Sequence, residues 1–399
     1  MAGCRARRSA SIWSRTATIC GSGCRRLASG YRRSRNASSS WKRSWRAGPP
    51  RRSDASLSLL DCVRSDIRGM AGYVPGEQPR SGGIVKLNTN ENPYPPSPAV
   101  FDAVRAALTG DRLRKYPDPS GTRFRETAGR VLGVDPDGIV IGNGSDDLLT
   151  ILTRTFVPAG GTVASFFPSY LLYRTLAGLQ GARFVAIPFE EGWTLPRECP
   201  EADLVYLANP NSPSGTMVGK EGIEAFPARV LVVDEAYADF ADDNALPLAS
   251  SGKAIVTRTL SKSYSLAGIR FGFAVATPAV ARELNKMKDS YNCDALSLEA
   301  ATAALADQAH MRENRRRILA TRAVLERGMA ALGFRVTPSS ANFVWCLHER
   351  PVRPMFEELK RRDILVRLMA YEGWPEGLRV TVGTDEEIGR LLEELRGIV

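Results

Sequence analysis

One lysine stands out because of the residues that surround it. Lys262 lies in Thr259–Arg270, a run of small and apolar residues that follows an apolar stretch with strand character. A lysine in such surroundings is partly desolvated, which lowers the pKa of its amine and frees it for Schiff-base chemistry. Ser261 and Arg270 offer a hydroxyl and a guanidinium to a phosphate group beside it. A lone lysine is ordinarily a solvated surface residue, but these neighbours favour a chemical role.

An acid stands at the end of a second apolar stretch, Val232–Tyr237. In a parallel sheet, ligands gather at the carboxyl ends of the strands, so Asp234 is placed to face a cofactor. A carboxylate opposite a pyridine nitrogen keeps that nitrogen protonated and makes the ring an electron sink. The alternative for an acid at a strand end is a helix cap, and the residue by itself does not decide between the two.

Three further segments carry weaker signals. Asn209, which begins Asn209–Thr216, is able to donate to a ring oxygen, although Pro and Gly make this segment a turn in any case. Gly142–Asp146 opens a helix, whose first amides and dipole favour a phosphate, but a lone Gly-rich turn is common. Tyr170 follows the next strand and is able to stack on a flat ring, or to serve as a core aromatic.

The elements that must position these residues alternate along the chain. Strands are predicted at Ile139–Gly142, Thr162–Phe166, Phe184–Ile187, Leu204–Ala208, Val230–Asp234 and Ala254–Arg258, and helices at Ala99–Leu108, Phe124–Leu132, Asp146–Phe156 and Tyr170–Leu179. Apolar strands that alternate with helices predict an α/β fold with a mostly parallel sheet covered on both faces. The last hundred residues differ. One long charged helix over Leu298–Leu332 precedes a smaller α+β unit, with strands near Asn342–Cys346 and Leu378–Val382.

The charge is distributed very unevenly. The chain carries a net charge of +11, but residues 1–53 contain fourteen Lys or Arg and no acid, so the remainder has a net charge of −3. We therefore do not expect the folded part to bind nucleic acid. Residues 1–60 form a basic Arg/Ser-rich leader. Its composition fits a transit peptide, a disordered arm, or a stretch translated upstream of the true start.

The remaining totals narrow the class of protein. No apolar run reaches the roughly 18 residues of a membrane helix, so we expect a soluble protein. The seven cysteines include no CxxC pair and the chain has two histidines, which argues against a disulfide framework and a structural metal site. We expect reduced thiols, a cytoplasmic location and no bound metal. The length of 399 residues favours two or three domains.

Taken in order, the motifs resemble those of fold-type-I pyridoxal-phosphate (PLP) aminotransferases, and more narrowly the histidinol-phosphate aminotransferase family. The matching segments are NENPYPP at Asn90–Pro96, KYPDPSG at Lys115–Gly121, GNGSDD at Gly142–Asp147, PSYLLY at Pro168–Tyr173, NPNSPSGT at Asn209–Thr216, DEAY at Asp234–Tyr237, TLSKSYSLAGIR at Thr259–Arg270, ANF at Ala341–Phe343 and LRVTVGT at Leu378–Thr384. The resemblance covers about 85% of the chain, from Val63 to Val399. It implies a large domain with a mostly parallel seven-stranded sheet and a smaller α+β domain. The expected division is an N-terminal arm and part of the small domain at 61–100, a large PLP-binding domain at 101–297 and a C-terminal small domain at 298–399.

The resemblance also implies a role for each matching residue. Lys262 carries PLP as a Schiff base and later moves protons, Asp234 pairs with the ring nitrogen, and Asn209 and Tyr237 bond the ring oxygen. Tyr170 stacks on the ring, Ser261, Arg270 and the amides of Ser145 and Asp146 hold the phosphate, and Tyr116 reaches that region from a neighbouring subunit of a homodimer with shared sites. Arg379 and Arg367 hold the anionic ends of substrates, and Asn90 and Glu91 also bind substrate, from a mobile N-terminal loop that closes the site. A solvated strand end is the alternative for Arg367.

The activity implied is transfer of an amino group between glutamate and imidazole-acetol phosphate, in histidine biosynthesis. Two guanidinium groups suit a dianionic phosphate, whereas one suffices for a carboxylate. The alternatives on the same scaffold are an aromatic amino-acid aminotransferase and a threonine-phosphate decarboxylase. A non-catalytic DNA-binding regulator of this fold would carry an added DNA-binding domain, and the leader shows no helix-turn-helix pattern.

Overall fold

The computed structural model describes residues 58–70, 72, 76–79 and 83–399. The chain divides into two units, Met1–Cys62 and Val63–Val399. The predictions for the leader at 1–60 fall almost wholly outside the described residues, and the first unit contributes a short 3-10 helix at Leu59–Cys62. Everything below concerns the second unit.

Strands and helices alternate through the second unit, as the sequence predicted. The strands are β1 (Val85–Lys86), β2 (Ile139–Gly142), β3 (Thr162–Phe167), β4 (Arg183–Pro188), β5 (Leu204–Ala208), β6 (Leu231–Asp234), β7 (Ile255–Thr259), β8 (Gly272–Val275), β9 (Arg335–Thr337), β10 (Phe343–Leu347), β11 (Ile364–Leu365), β12 (Arg367–Met369) and β13 (Gly377–Thr381). The helices are α1 (Ser65–Arg68), α2 (Pro98–Ala107), α3 (Gly110–Leu113), α4 (Thr122–Leu132), α5 (Ser145–Phe156), α6 (Leu172–Gln180), α7 (Lys220–Ala225), α8 (Leu246–Ser250), α9 (Pro278–Met287), α10 (Ala295–Ala306), α11 (Gln308–Ala331), α12 (Val352–Arg361) and α13 (Asp385–Arg396).

The larger sheet has seven strands in the order β2-β8-β7-β6-β5-β3-β4. Its strands pair in parallel except β8, which runs antiparallel to both β2 and β7. The predicted α/β fold with a mostly parallel seven-stranded sheet is therefore confirmed. The sequence patterns missed β8, because a four-residue strand that begins with glycine carries little strand signal.

Both faces of this sheet are covered, which explains why its central strands are apolar throughout. Along β5, Val205 and Leu207 join one hydrophobic cluster, while Leu204 and Tyr206 join another on the opposite face. Successive side chains of a strand point to opposite faces, so a strand with two buried faces has no polar alternation. Helices α2, α4 and α10 pack on one side, and α5, α6 and α9 pack on the other.

The C-terminal part builds a second, smaller layer. Its four-stranded antiparallel sheet has the order β12-β13-β10-β9, and β1 pairs with β11 in a separate two-stranded parallel sheet. Helices α11, α12 and α13 cover this sheet with residues such as Ile318, Leu359 and Leu391. The strands predicted near Asn342–Cys346 and Leu378–Val382 are present as β10 and β13.

The single helix predicted over 298–332 was wrong. Asp307 interrupts it with φ −91° and ψ 71°, which ends α10 and begins α11. Its carboxylate accepts hydrogen bonds from the amide of His310 at 3.1 Å and from the hydroxyl of Ser97 at 2.6 Å, and thereby caps the second helix. Residues of α10 such as Ala301 pack in the large-sheet core, so the domain division at 297/298 stays a prediction.

Aromatic side chains join the two sheets. Trp193, in the 3-10 turn after β4, lies 5.8 Å from Trp345 of β10 and 5.3 Å from Trp374, measured between ring centroids. The Tyr371 hydroxyl also donates to the Ser169 carbonyl at 3.3 Å. These contacts fix the small sheet over one edge of the large one. Among the described residues, no helix combines the length and the apolarity needed to cross a membrane.

Candidate active site

Most of the residues singled out in the sequence meet at one edge of the large sheet. Strands β2, β3, β5, β6 and β7 run in the same direction, so their carboxyl ends share this edge. The residues there are Ser145 and Asp146 after β2, Tyr170 after β3, Asn209 after β5, Asp234 and Tyr237 at β6, Ser261 and Lys262 after β7, and Arg270 before β8. This is where a parallel sheet binds ligands.

Lys262 lies in the turn that follows β7. Its Nζ donates a hydrogen bond to the main-chain carbonyl of Thr89 at 3.0 Å, and it lies 5.8 Å from the centre of the Tyr237 ring. Withdrawal from water lowers the pKa of this amine to about 8, against the opposing charge of Glu91. The amine is therefore deprotonated far more often near neutral pH than an exposed lysine, as nucleophilic chemistry requires.

Asp234 is buried at the end of β6, with 5% of its surface exposed. It accepts hydrogen bonds from the hydroxyl groups of Tyr173 at 2.7 Å and Thr257 at 2.9 Å. Burial raises its pKa to about 6, against these two hydrogen bonds. No cation among the described residues forms an ion pair with it, so a protonated ring nitrogen would supply the missing positive partner.

Tyr237 and Asn90 face each other beside Lys262. The amide of Asn90 donates to the Tyr237 hydroxyl at 2.8 Å, and burial raises the pKa of that phenol, so it stays protonated at neutral pH. Asn90 holds a left-handed backbone with φ 58°, stabilised by Thr381 and by the amide of Asn342. The N-terminal loop is thus bonded tightly into the site at this residue.

Arg270 and the first residues of α5 lie close together and present donors suited to a phosphate. Arg270 has a left-handed backbone with φ 55°, and its guanidinium lies 3.6 Å from the Asp146 carboxylate. A Cβ on Gly144 would lie 2.7 Å from the Arg270 guanidinium, and one on Gly272 would lie 2.9 Å from the Ser145 amide nitrogen. The two glycines therefore let the arginine and the helix N-terminus approach each other closely.

The other residues predicted to contact the cofactor lie at the same sheet edge, and each of them also makes hydrogen bonds within the protein. Tyr170 donates from its hydroxyl to Asp146 at 3.2 Å and packs edge-on against Tyr173. Asn209 exchanges two hydrogen bonds with the main chain of Val218, at 3.0 Å and 2.8 Å, which leaves one N–H of its amide to donate. Ser261 is buried, and its hydroxyl accepts from Thr259 at 2.9 Å.

Two arginines stand opposite each other on the small sheet. Arg367 of β12 and Arg379 of β13 are direct cross-strand partners. Arg379 donates to the Ser212 hydroxyl and the Asn88 carbonyl, both at 3.0 Å, and its Nε is buried without a hydrogen-bond partner. A buried donor without a partner is costly, and a bound anion would satisfy the Nε of Arg379.

Comparisons with known proteins agree with this geometry. The family model "Aminotransferase class I and II" matches residues 83–395. The histidinol-phosphate aminotransferase of Rhodopirellula baltica is 51% identical over 335 residues, which are 82% of this chain and 92% of that protein. The one from Syntrophotalea carbinolica is 46% identical over 348 residues, covering 85% of this chain and 100% of its own length.

A solved structure extends the likeness to three dimensions. The crystal structure of histidinol-phosphate aminotransferase from Sinorhizobium meliloti, in complex with pyridoxal-5'-phosphate, superposes with a TM-score of 0.72 at 30% identity. It covers 79% of this chain and 91% of that one. The chain belongs to the histidinol-phosphate aminotransferase family. This membership confirms the family and the aminotransferase class that the motifs predicted.

The remaining two site residues predicted from this family likeness lie apart from the ring contacts. Glu91 forms an ion pair with Lys86 and accepts a hydrogen bond from Thr89. Tyr116 is 80% exposed, and its ring stacks on that of Tyr291 with centroids 4.3 Å apart. An exposed position fits the prediction that Tyr116 serves a neighbouring subunit, which a single chain does not test.

Several residues that shape the site received no role from the sequence, although Tyr173 and Ser212 lie within the matching segments PSYLLY and NPNSPSGT. Tyr173 and Thr257 hold the Asp234 carboxylate, and Ser212 and Asn88 hold Arg379. Tyr173 follows Tyr170 by three residues at the start of a helix, and Thr257 is a hydroxyl residue in the middle of β7, directly after the apolar Ile255 and Val256. These two sequence features could have drawn attention to Tyr173 and Thr257. Neither feature shows that the residue contacts Asp234, because that contact depends on the register of the sheet.

The residues present fit a pyridoxal phosphate of the kind bound in the Sinorhizobium relative. Asp234 lacks a cationic partner among the described residues, and the partly desolvated amine of Lys262 stands at the same sheet edge. The two glycines leave room at Arg270 and the α5 amides, where a Cβ would collide with the phosphate-binding groups. Lys262, Asp234 and the donors of Arg270 and the α5 amides match the aldehyde, the ring nitrogen and the phosphate of the cofactor.

Proposed function

We propose that the chain binds pyridoxal 5'-phosphate at Lys262 and interconverts histidinol phosphate plus 2-oxoglutarate with imidazole-acetol phosphate plus glutamate, in histidine biosynthesis. The observation that carries the choice of substrate is the cross-strand pair of Arg367 and Arg379. The family membership supports the same reaction. A cytoplasmic location accompanies this proposal as an expectation from the pathway.

The bound cofactor would act as an electron sink for the carbon that loses or gains the amino group. Asp234 would keep the ring nitrogen protonated, with Tyr173 and Thr257 fixing the carboxylate in the direction of the ring. Tyr237, held by Asn90, and the free N–H of Asn209 would donate to the ring oxygen. Tyr170 would pack on the ring face, where it excludes water from the reacting carbon.

Lys262 would move the proton between the substrate carbon that loses or gains the amino group and the cofactor carbon that carries this group between the two substrates. An amine with a pKa of about 8 accepts and returns a proton readily near neutral pH. The carbonyl of Thr89, 3.0 Å from Nζ, orients this amine whenever it is free. The phosphate of the cofactor would lie on Arg270, the Ser261 hydroxyl and the amides of Ser145 and Asp146.

The substrate anion would lie between Arg379 and Arg367. Arg379 would hold the carboxylate of glutamate and share the phosphate of the second substrate, while Arg367 would contact the phosphate alone. Tyr116 would complete the phosphate contacts of a second copy, which gives a homodimer with shared sites.

A direct assay tests the proposal. The purified protein is charged with glutamate and then offered imidazole-acetol phosphate or phenylpyruvate at matched concentration. The cofactor-loaded protein that has not been charged with glutamate is offered phosphothreonine at the same concentration. We expect rapid formation of histidinol phosphate and slower turnover of phenylpyruvate, with no release of carbon dioxide from phosphothreonine. Faster turnover of phenylpyruvate would make it an aromatic aminotransferase, and carbon dioxide release would make it a decarboxylase.

A further inference from the structure

A short segment of the N-terminal loop, Thr89–Asn92, contacts Lys262, the turn that follows β7 and strand β13 of the small sheet. Thr89 accepts from the Lys262 amine through its carbonyl, and the Asn92 amide donates to the carbonyls of Lys262 and Ser263 at 3.1 Å and 3.2 Å. Asn90 contacts Thr381 of the small sheet. The position of this segment therefore determines what surrounds the amine.

A charged pair, Lys86 with Glu91, bounds this segment. The Lys86 ammonium donates to both the Thr89 hydroxyl and the Glu91 carboxylate, and the Thr89 hydroxyl donates to the other carboxylate oxygen of Glu91. Burial acts to raise the pKa of Glu91, but the hydrogen bonds from Lys86 and Thr89 outweigh it and lower that pKa. Glu91 is thus an anion that is held in a fixed place beside the active site.

Lys86 is anchored from outside the segment. It ends β1, whose parallel pairing with β11 places Lys86 opposite Leu365. The next residue, Leu87, donates to the Leu365 carbonyl at 2.7 Å and accepts from the Thr381 amide at 3.0 Å. Strands β11 and β13 therefore hold the Lys86 ammonium in place, and this ammonium in turn holds the Glu91 carboxylate.

We propose that Lys86 is a positioning residue for the amine of Lys262. Lys86 holds the Glu91 carboxylate away from this amine and thereby keeps the amine free to exchange its proton. The inference rests on the proposed function, because it assigns a task to Lys86 in the same reaction. It concerns a pair of side chains that touch neither the substrate anion nor the ring contacts described above.

The signs of the charges around Lys262 provide a test of the inference. The charged groups that act on Lys262 are the carboxylates of Glu91 and Asp146, which favour its protonated form, and the guanidinium groups of Arg379 and Arg270, which oppose it. Without Glu91 the amine loses a stabilising anion, so its pKa falls. Without Lys86 the Glu91 carboxylate is free to turn to the amine, so its pKa rises. Glu387 lines the same small cavity as Lys86 and Glu91, and its carboxylate accepts from the Thr384 amide.

The experiment measures the pH at which the yellow chromophore of the cofactor-loaded protein is half converted between its two absorbance forms. The proton lost in this conversion is carried by the Nζ of Lys262 in its Schiff base with the cofactor, so nearby charges shift the midpoint with the same signs as they shift the pKa of the free amine. The variants are Glu91→Gln, Lys86→Met and the double variant. We expect the midpoint to fall in Glu91→Gln and to rise in Lys86→Met, each by roughly half a pH unit or more, as a nearby charge shifts a pKa. In the double variant the upward effect of Lys86→Met is largely lost, because no carboxylate remains to be released.

Matched controls separate the effect of the Lys86–Glu91 pair on the midpoint from the effect of a general loss of charge. Lys286→Met and Glu283→Gln break an exposed lysine–glutamate pair on α9, and both should leave the midpoint unchanged. Lys86→Arg keeps the positive charge and should stay close to the wild-type midpoint. Midpoints that do not move, or that move in the same direction in both single variants, would overturn the inference. Absence of any chromophore in the wild-type protein would instead refute the proposed function.

Discussion

At the scale of single residues, Asp234 is a buried carboxylate whose partners are two hydroxyl groups. Its pKa of about 6 in the folded chain lies above its ordinary value of 3.8. Above pH 6 the folded chain buries a charge that the unfolded chain keeps in water, whereas below pH 4 both forms hold the proton. The cost to the cofactor-free fold therefore grows as the pH rises from about 4 to about 6, and reaches about 3 kcal/mol.

We therefore predict that Asp234→Asn stabilises the cofactor-free protein at pH 8 and that this gain disappears as the pH falls to 4. Urea unfolding of both proteins at several pH values measures the difference. Asp203→Asn, at a more exposed acid, serves as the control. The same substitution should abolish transamination, since an amide does not hold a proton on the ring nitrogen. A gain that persists at pH 4 would contradict the assigned burial cost.

Arg367 gives a second prediction at this scale, because it would contact the phosphate and not the carboxylate of glutamate. Arg367→Met should lower kcat/KM for imidazole-acetol phosphate roughly 10- to 100-fold, the value of one or two charge-assisted hydrogen bonds. The reaction with glutamate should change by less than about threefold. Single-turnover absorbance kinetics with each substrate measure the two effects separately.

The control for Arg367 is Arg335→Met, which removes an exposed arginine from β9 of the same small sheet. Arg379→Met should lower both reactions, because Arg379 would hold both substrate anions. An equal loss for the two substrates in Arg367→Met would assign Arg367 a structural role instead.

At the scale of elements, the phosphate-binding surface depends on how closely β8 approaches the start of α5. A Cβ on Gly272 would lie 2.8 Å from the Arg258 carbonyl oxygen and 2.9 Å from the Ser145 nitrogen, both of them main-chain atoms. Gly272→Ala should therefore destabilise the fold by roughly 1–3 kcal/mol and weaken cofactor binding. Thermal unfolding and cofactor titration measure the two effects.

The neighbouring loop offers the matched control for this glycine. A Cβ on Gly268 would meet nothing within 4 Å, so Gly268→Ala should change neither property by a measurable amount. If the two variants bound the cofactor equally well, the close approach of β8 and α5 would not be needed for the phosphate.

At the scale of the whole molecule, the family resemblance predicts an active site that two copies share through Tyr116, which is exposed in the single chain. Mixed dimers of Lys262→Ala and Tyr116→Ala would contain one intact site, because each copy supplies what the other lacks. Co-refolding equal amounts of these two variants should restore up to about a quarter of the wild-type activity, since half of the dimers are mixed. Activity no higher than that of the separate variants would place Tyr116 outside the partner's site. Mixing Lys262→Ala with Asp234→Asn, two changes within one chain's own site, should restore nothing.

The sequence by itself determined the large sheet, except for β8, and the residues at its edge. Apolar strands separated by helices leave few arrangements other than a covered parallel sheet, and a motif at a strand end must lie at the carboxyl edge of that sheet. Lys262, Asp234, Asn209 and Tyr170 were therefore located before any contact was known. The spacing of local motifs is sufficient to locate the site residues when each motif follows its own strand.

Only the tertiary structure decided which residues face one another across long separations. The opposition of Arg367 and Arg379 depends on the register of β12 and β13, and the partners of Asp234 depend on the placing of α6 and β7. The break at Asp307 depends on a hydrogen bond from Ser97, 210 residues earlier in the chain. Contacts of this kind are set by packing and register, which local residue patterns do not encode.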